Sequence, residues 1–315
     1  MIIFTEIMNK KSGFVTILGA PNAGKSTLIN AFLNQHLSIV SPKPQTTRNR
    51  IYGIYTDENT QIIFTDTPGI ISPKYKLQEM MKKEIDYSID GADVILFLID
   101  GSEPEYLLSD ELMNRYFVTL SSGASKVPVI YVINKVDLIT DEKLNHIKKY
   151  ISEKYSSDEI IPVSALKNYN VNLLLGLIIK NLPESDFYFP EDIISPQSEK
   201  FFASEIIRGV IFKYLRDEIP FSVYVDIEEF KESPGRKDFI KANLYVEKES
   251  QKSIIIGKGG GMIKRIGENS RSEIEKFLGR EVFLELDVKV SRNWRKNEEF
   301  LKSNFRKLSG LQAYD

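Results

Sequence analysis

No cysteine occurs in the 315 residues, which excludes disulfides, thiolate nucleophiles, iron–sulfur clusters and Cys-ligated zinc. A reducing compartment is compatible with that composition. Histidine is almost missing: His36 and His146 stand alone, far apart, and read as surface or loop residues. A His-rich metal site is therefore disfavoured, and a Ser-His-Asp triad would have to draw on one of these two. No apolar stretch reaches the roughly 18 residues of a spanning helix. The six residues Val94–Ile99 suit a buried strand instead. Lys10 and Lys11 follow the short apolar start and do not precede it, so residues 1–12 read as an N-terminal extension, not a signal peptide. Met8 is an alternative start.

What is present suits a folded protein. Hydrophobic residues make up 42% and charged ones 27%, enough for a real core and too much for wholesale disorder. The length implies two domains, or one large one. Net charge is only −2 but unevenly spread. Lys252–Lys307 carries fourteen Lys and Arg against eight Asp and Glu, on an acidic remainder. A polyanion partner is thus allowed at one end only.

Residues 13–182 alternate strand and helix. Short apolar runs at Phe14–Leu18, Ile51–Tyr55, Gln61–Thr65, Val94–Ile99, Val129–Ile133 and Ile160–Val163 predict strands. Helical stretches fall at Lys25–Leu33 and near 76–90, 109–120, 141–155 and 171–181. That rhythm predicts a mostly parallel sheet with helices on both faces. Pro183, Pro190 and Pro196 break it, so 183–198 reads as a linker. Over 199–315 the order becomes α-β-β-α-α-β: a helix over 199–215, strands at Phe221–Ile227 and Ile240–Val246, the short apolar piece Ser253–Ile256, a helix near 262–278, and the alternating strand Val282–Val290. A basic tail helix carrying Trp294 closes the chain.

Gly19-Ala20-Pro21-Asn22-Ala23-Gly24-Lys25-Ser26 fits G-x-x-x-x-G-K-[ST] between a strand and a helix, with Thr27 next. The pattern points to a nucleoside triphosphate. Glycines turn backbone N–H groups towards phosphate oxygens, and the helix N-terminus adds partial positive charge. Lys25 neutralises the outer phosphates, and the Ser26 hydroxyl ligates Mg²⁺. Asn134-Lys135-Val136-Asp137 follows an apolar strand and selects the base. The Asp137 carboxylate accepts from the N1 and N2 edge of guanine, a donor pair that adenine lacks. Ser164-Ala165-Leu166 fits a loop closing over the base. Asp66-Thr67-Pro68-Gly69 ends a strand, with Asp66 holding Mg²⁺ through water and the Gly69 N–H sensing the γ-phosphate. In the polar loop between, Thr47 is expected to complete the metal shell, with Thr46 as the alternative. Lys25, Thr47, Asp66 and Gly69 are thus the candidate catalytic set.

These motifs, in this order, resemble the translation-factor class of GTPases. Ile70 stands where many small GTPases place a water-orienting glutamine. Slow intrinsic hydrolysis follows, so a partner, RNA, a monovalent cation or another loop residue would have to assist.

The second region carries Ile256-Gly257-Lys258-Gly259-Gly260, followed by Lys264 and Arg265. In KH modules a G-x-x-G loop clamps the nucleic-acid backbone while single-stranded bases lie in an apolar groove. The glycines permit close approach, and Lys258, Lys264 and Arg265 supply charge. Trp294 reads as a packing anchor, with base stacking as its alternative. Lys302, Arg306 and Lys307 either touch RNA or form a solvated face.

A P-loop GTPase domain followed by a KH module resembles the Era family of bacterial GTPases. Gly19–Thr27, Gln45–Arg48, Asp66–Gly69, Asn134–Asp137, Phe189–Asp192, Ala203–Arg208, Ile256–Gly260, Leu284–Leu286 and Val288–Val290 carry the likeness, which spans roughly residues 12–300. The resemblance implies an α/β GTPase domain followed by an α+β type II KH domain. It implies GTP, GDP and Mg²⁺ as ligands, and RNA near the 3′ end of small-subunit rRNA as partner. It further implies a role in 30S subunit assembly, a monomer, and a cytoplasmic location partly peripheral at the inner membrane surface. The hydrophobic Ile70 agrees with that family. Pro42, Pro44 and Ser195–Ser198 depart from its pattern, in the switch loop and after the linker. Competing readings are a constitutive RNA-binding protein with structural GTP, an ATP-driven helicase or transporter ATPase, and a signalling GTPase with protein partners only. Asn134–Asp137 argues against the ATPase, and the basic C-terminal window against the last.

Overall fold

Side chains that are apolar on both faces of a strand need cover on both sides. The computed structural model, which describes residues 10–40, 43–105, 111–121, 127–155 and 159–308, meets that need with a six-stranded sheet. Its strands are β1 (Lys11–Gly19), β2 (Ile51–Thr56), β3 (Thr60–Asp66), β4 (Val94–Asp100), β5 (Val129–Asn134) and β6 (Ile160–Pro162), in the order β2-β3-β1-β4-β5-β6. Only β2 runs antiparallel to its neighbour. β4 is buried at every position, which explains its unbroken apolar sequence. Between the strands run α1 (Lys25–Leu33), α2 (Lys76–Asp90), α3 (Glu111–Ser121) and α4 (Asp141–Tyr155), and α5 (Val171–Asn181) follows β6. Part of the helix expected near 109–120 lies outside the described residues, as do residues 1–9 of the expected extension and Pro42.

The parallel register has one functional consequence. Gly19, Asp66, Asp100 and Asn134 all terminate strands at the same edge, with Ile17 opposite Asp66, Gly19 opposite Leu98, and Asp100 opposite Asn134. Ligands of open α/β sheets bind at that carboxyl edge.

The chain divides into two compact units. The first comprises Met1–Ser38, Thr47–Pro73 and Met80–Pro196; the second comprises Ile39–Thr46, Lys74–Glu79 and Gln197–Asp315. The proline-rich segment is strapped along the first unit's sheet. Ser12 N donates to Pro183 O and Ile54 N to Ile194 O, while the buried Gln61 side chain exchanges bonds with the Phe189 backbone in both directions.

In the second unit, the Ser198 hydroxyl caps α6 (Glu199–Tyr214) by accepting from Phe201 N. Then come the short α7 (Ile219–Ser222), β7 (Tyr224–Lys231), β8 (Asp238–Val246), α8 (Glu249–Ile256), α9 (Gly261–Leu278), β9 (Val282–Val290) and α10 (Glu298–Leu308). The sheet order is β7-β8-β9, antiparallel then parallel. Ile207 and Ile211 of α6 and Ile266 and Ile274 of α9 join Ala242 and Leu244 of β8 in one core. Apart from α7, the order is α-β-β-α-α-β, the type II KH arrangement.

Three expectations need correction. The strand expected from Phe221 begins at Tyr224, because Pro220 sits in the first turn of α7, where its missing N–H costs nothing. Ser253–Ile256 is not a separate piece but the end of α8. Trp294 is not in the tail helix: it opens a single 3₁₀ turn, Trp294–Lys296, ahead of α10. It is fully buried against Tyr224 and Phe300 and donates to Ser222 O, so it packs and presents no face to a base. The side chains of Arg306 and Lys307 lie outside the described residues. His36 is exposed after α1, and His146 is exposed on α4.

Candidate nucleotide site and nucleic-acid loop

The loop between β1 and α1 wraps tightly because glycine allows it. Gly24 has φ +96°, and a Cβ there would lie 2.2 Å from Asn134 Nδ2. A Cβ on Gly69 would meet Pro21 N at 2.7 Å, so the 66–69 turn lies directly against the loop. Ala20 and Ala23 are buried within it, while Pro21 is half-buried and Asn22 is exposed with φ 63°. Thr27 lies partly buried in α1.

Lys25 is buried and folds back, donating to Ala20 O (2.8 Å) and Gly19 O (3.2 Å). Burial lowers its pKa from the ordinary 10.5 to about 8, with the Asp66 charge opposing that shift. Around it the oxygens converge. Ser26 Oγ donates to Asp66 Oδ2 at 2.6 Å and lies 3.3 Å from Thr47 Oγ1, which itself reaches Asp66 Oδ2 at 3.4 Å. Asp66 is fully buried, and its Oδ1 has no hydrogen-bond partner. Burial pushes its pKa up, while the Ser26 hydrogen bond and the Lys25 charge pull it down. Of the two threonines, Thr47 enters this cluster. The Thr46 hydroxyl instead donates to Lys43 O.

Two hydroxyls and a carboxylate with an orphaned oxygen are hard donors that fit Mg²⁺. Among the described residues no group of three or more His, Cys, Asp or Glu could hold a metal. Ser26, Thr47 and Asp66 supply fewer oxygens than the six of an octahedral Mg²⁺ shell, so water or phosphate oxygens would have to supply the rest. Thr67 Oγ1 anchors the turn by donating to Ile17 O, followed by Pro68. Ile70 is fully buried and its N–H donates to Gly19 O, so it presents no side chain to a water.

The base-reading motifs are stitched to this loop by one side chain. Asn134 Nδ2 donates to Ala23 O, and its Oδ1 accepts from Ala165 N. Val136 N donates to Val163 O, and the Ser164 hydroxyl accepts from Lys167 N. Leu166 projects, 76% exposed. Asp137 is exposed in the 3₁₀ turn Val136–Leu138 and has no hydrogen bond among the described residues. The left-handed Lys135 pairs through Nζ with the buried Asp100, whose carboxylate also accepts from Ser102 N. Asp100 is a site residue that the motifs do not flag. Its only sequence signal is a carboxylate ending the apolar run of β4.

The glycine loop of the second unit is open. Gly257, at φ 72°, closes on Met262, where a Cβ would make a 2.7 Å contact. Gly259 and Gly260 also have positive φ, with nothing within 4 Å of a Cβ. Lys258, Lys264 and Arg265 are exposed around this loop and Ile256 is half-buried before it. All four flank a backbone that a polyanion can approach closely.

Known proteins resemble the chain in both units. A family model described as "50S ribosome-binding GTPase" matches residues 14–135, and a KH domain model matches 218–295. GTPase Era of Thermosipho melanesiensis is 45% identical over 299 residues, covering 93% of this chain and 96% of the relative. GTPase Era of Clostridium botulinum strain Hall is 44% identical over 294 residues, covering 93% and 97%. A crystal structure of Era with MgGDPNP and nucleotides 1506–1542 of 16S ribosomal RNA matches with TM-score 0.85 at 40% identity, covering 93% and 98%. An Aquifex aeolicus Era variant bound to GDP and AlF₄⁻ matches with TM-score 0.84 at 39% identity, with the same coverage. With both domain types and this similarity along almost the whole length, the chain belongs to the Era family of GTPases.

Proposed function

We propose that this chain is a GTP-hydrolysing switch that binds the 3′ end of small-subunit rRNA and acts in 30S subunit assembly. The carrying observation is the convergence of Lys25, Ser26, Thr47 and Asp66 on one buried point, with Asp66 Oδ1 unpartnered. The related structure holding both MgGDPNP and 16S rRNA supports the pairing of ligands. When bound, Mg²⁺ neutralises charge on the phosphate oxygens. Ser26 and Thr47 would hold it directly and Asp66 through water. Lys25 exchanges its two carbonyl partners for phosphate oxygens. Gly19–Ser26 would supply backbone N–H groups, and the Gly69 N–H, in the turn against Pro21, would sense the γ-phosphate. The Asp137 carboxylate accepts from guanine, beside the Asn134 brace and the Ser164–Leu166 loop. With Ile70 buried, no side chain at that position orients the attacking water, and intrinsic turnover is slow. Ile256–Gly260, Lys264 and Arg265 take the RNA.

No helix among the described residues is long and apolar enough to cross a membrane. The resemblance to the Era family supports cytoplasmic residence, partly peripheral at the inner membrane surface, and a monomeric state.

The test is GTP turnover with a short RNA copying the 3′ end of small-subunit rRNA, beside a scrambled control. Stimulation by the matching RNA alone is expected. Tight RNA binding with flat turnover would overturn the switch in favour of a constitutive RNA binder. Gly259→Asp should weaken RNA binding and leave GTP binding unchanged, since the added side chain meets no neighbour and Asp is among the residues that tolerate the left-handed φ of +57°. Loss of both would signal misfolding.

A further inference from the structure

The strongest unassigned feature lies beside the glycine loop, between the end of α6 and the first turns of α9. Arg265 lies over the Tyr214 ring, its guanidinium carbon 4.4 Å from the ring centroid. Tyr214 is itself fixed, its hydroxyl donating to Asn269 Oδ1 at 2.9 Å. Asn269 closes the triangle by donating from Nδ2 to Arg265 O at 2.8 Å. The ring, the amide and the arginine backbone thus hold one another. The guanidinium pairs with no carboxylate among the described residues, although Arg265 is exposed. Arg208 is engaged with Glu205, Arg280 with Glu199 and Asp238, and Arg295 with Glu247, while Arg216, Arg236, Arg271 and Arg292 resemble Arg265 in forming no ion pair among the described residues. A second cation, Lys213 Nζ, lies 5.7 Å from the Tyr214 centroid.

A guanidinium that rests on an aromatic ring, is exposed and has no carboxylate partner among the described residues can take a further planar group on its other side. Planar, weakly hydrated guanidinium groups stack on aromatic surfaces, and unpaired RNA bases stack on arginine planes as on aromatic rings. Preorganisation matters, because an arginine already resting on a ring loses less freedom on binding. We infer that Tyr214, braced by Asn269, is a positioning residue that presents Arg265 as a stacking shelf for one unpaired base of the RNA beside the glycine loop. Tyr214 carries no role in the motifs, and this inference rests on the RNA-binding reading above.

The experiment scans single abasic positions along the single-stranded RNA, measuring affinity for the full-length protein and for Tyr214→Phe, Tyr214→Leu and Arg265→Lys. An abasic site keeps the phosphate, so it separates base stacking from charge. For the wild type, one abasic position should lose about tenfold in affinity, the scale of one base stack. Tyr214→Leu and Arg265→Lys should each weaken intact RNA by about fivefold and abolish the penalty at that position. Tyr214→Phe keeps the ring and should retain most of the penalty. GTP affinity of each variant serves as the folding control. Penalties unchanged in Tyr214→Leu would overturn the shelf while leaving RNA binding intact. Failure of the wild type to bind any of the RNAs would instead overturn the RNA-binding reading.

Discussion

At the scale of single residues, Lys25 and Asp66 are charged groups buried where only a ligand can complete them. For Lys25 the sign is definite. Its folded pKa of about 8 lies below the ordinary 10.5, so between those values the unfolded chain binds more protons than the native one. Burying the cation therefore costs about 3 kcal/mol of stability below pH 8, a cost that fades as pH rises towards 10.5. Phosphates reverse the effect by restoring the charged form. GDP binding at pH 9 should take up close to one proton, and affinity should fall as pH rises through 8. Calorimetry in buffers of different ionisation enthalpy reads this directly, and Lys25→Arg should remove it. Asp137 offers a second residue-level outcome. Asp137→Asn reverses one hydrogen-bond polarity and should move preference from guanine to xanthine nucleotides in competition binding. Since Asp137 is exposed, the fold should be indifferent to the change.

At the scale of elements, the turn after β1 is held by steric fit, not by hydrophobic burial. Gly24→Ala forces a Cβ against Asn134 Nδ2 at φ +96° and breaks the bridge from Asn134 to Ala23. Denaturant titration should show a loss of about 1–3 kcal/mol, together with loss of nucleotide binding. Gly176→Ala is the contrast. It sits inside α5 with open space around it and should stabilise by about 0.5–1 kcal/mol. These elements also show what could be read beforehand. β4 and β5 were legible because apolar residues on both strand faces leave no other use for such sequences. The P-loop was legible because its glycines and Lys25 have few alternative roles. Asp100 was not, since its pairing with Lys135 depends on register between strands that are distant in sequence. Trp294 was legible as a packing anchor but not in its place, because its packing on Tyr224 and Ser222 is long-range and seats it in a 3₁₀ turn ahead of the tail helix. Tyr214 gave no sequence signal because its partner lies on another helix.

At the scale of the whole molecule, the two largest hydrophobic cores among the described residues share no residue. One is built on β1, β3, β4 and β5, the other on α6, α9 and the second sheet. Each core belongs to one ligand, guanine nucleotide for the first and RNA for the second under the function proposed above. Ligands that bind only the native state stabilise it by mass action, by about 2.7 kcal/mol at a hundredfold excess over Kd. Scanning calorimetry should therefore resolve two transitions. GDP should raise one, and single-stranded RNA should raise the other. The shift that each ligand imposes on the second transition measures the coupling free energy between the sites, and the two cross-shifts must agree, because linkage is reciprocal. RNA affinity should also fall with salt at a log–log slope near −0.7 for each phosphate neutralised, in keeping with the basic Lys252–Lys307 window. A single transition raised equally by either ligand would mean that the two cores melt as one. Two transitions with zero cross-shift would mean that nucleotide and RNA bind without exchanging information, and the switch would lose its thermodynamic basis.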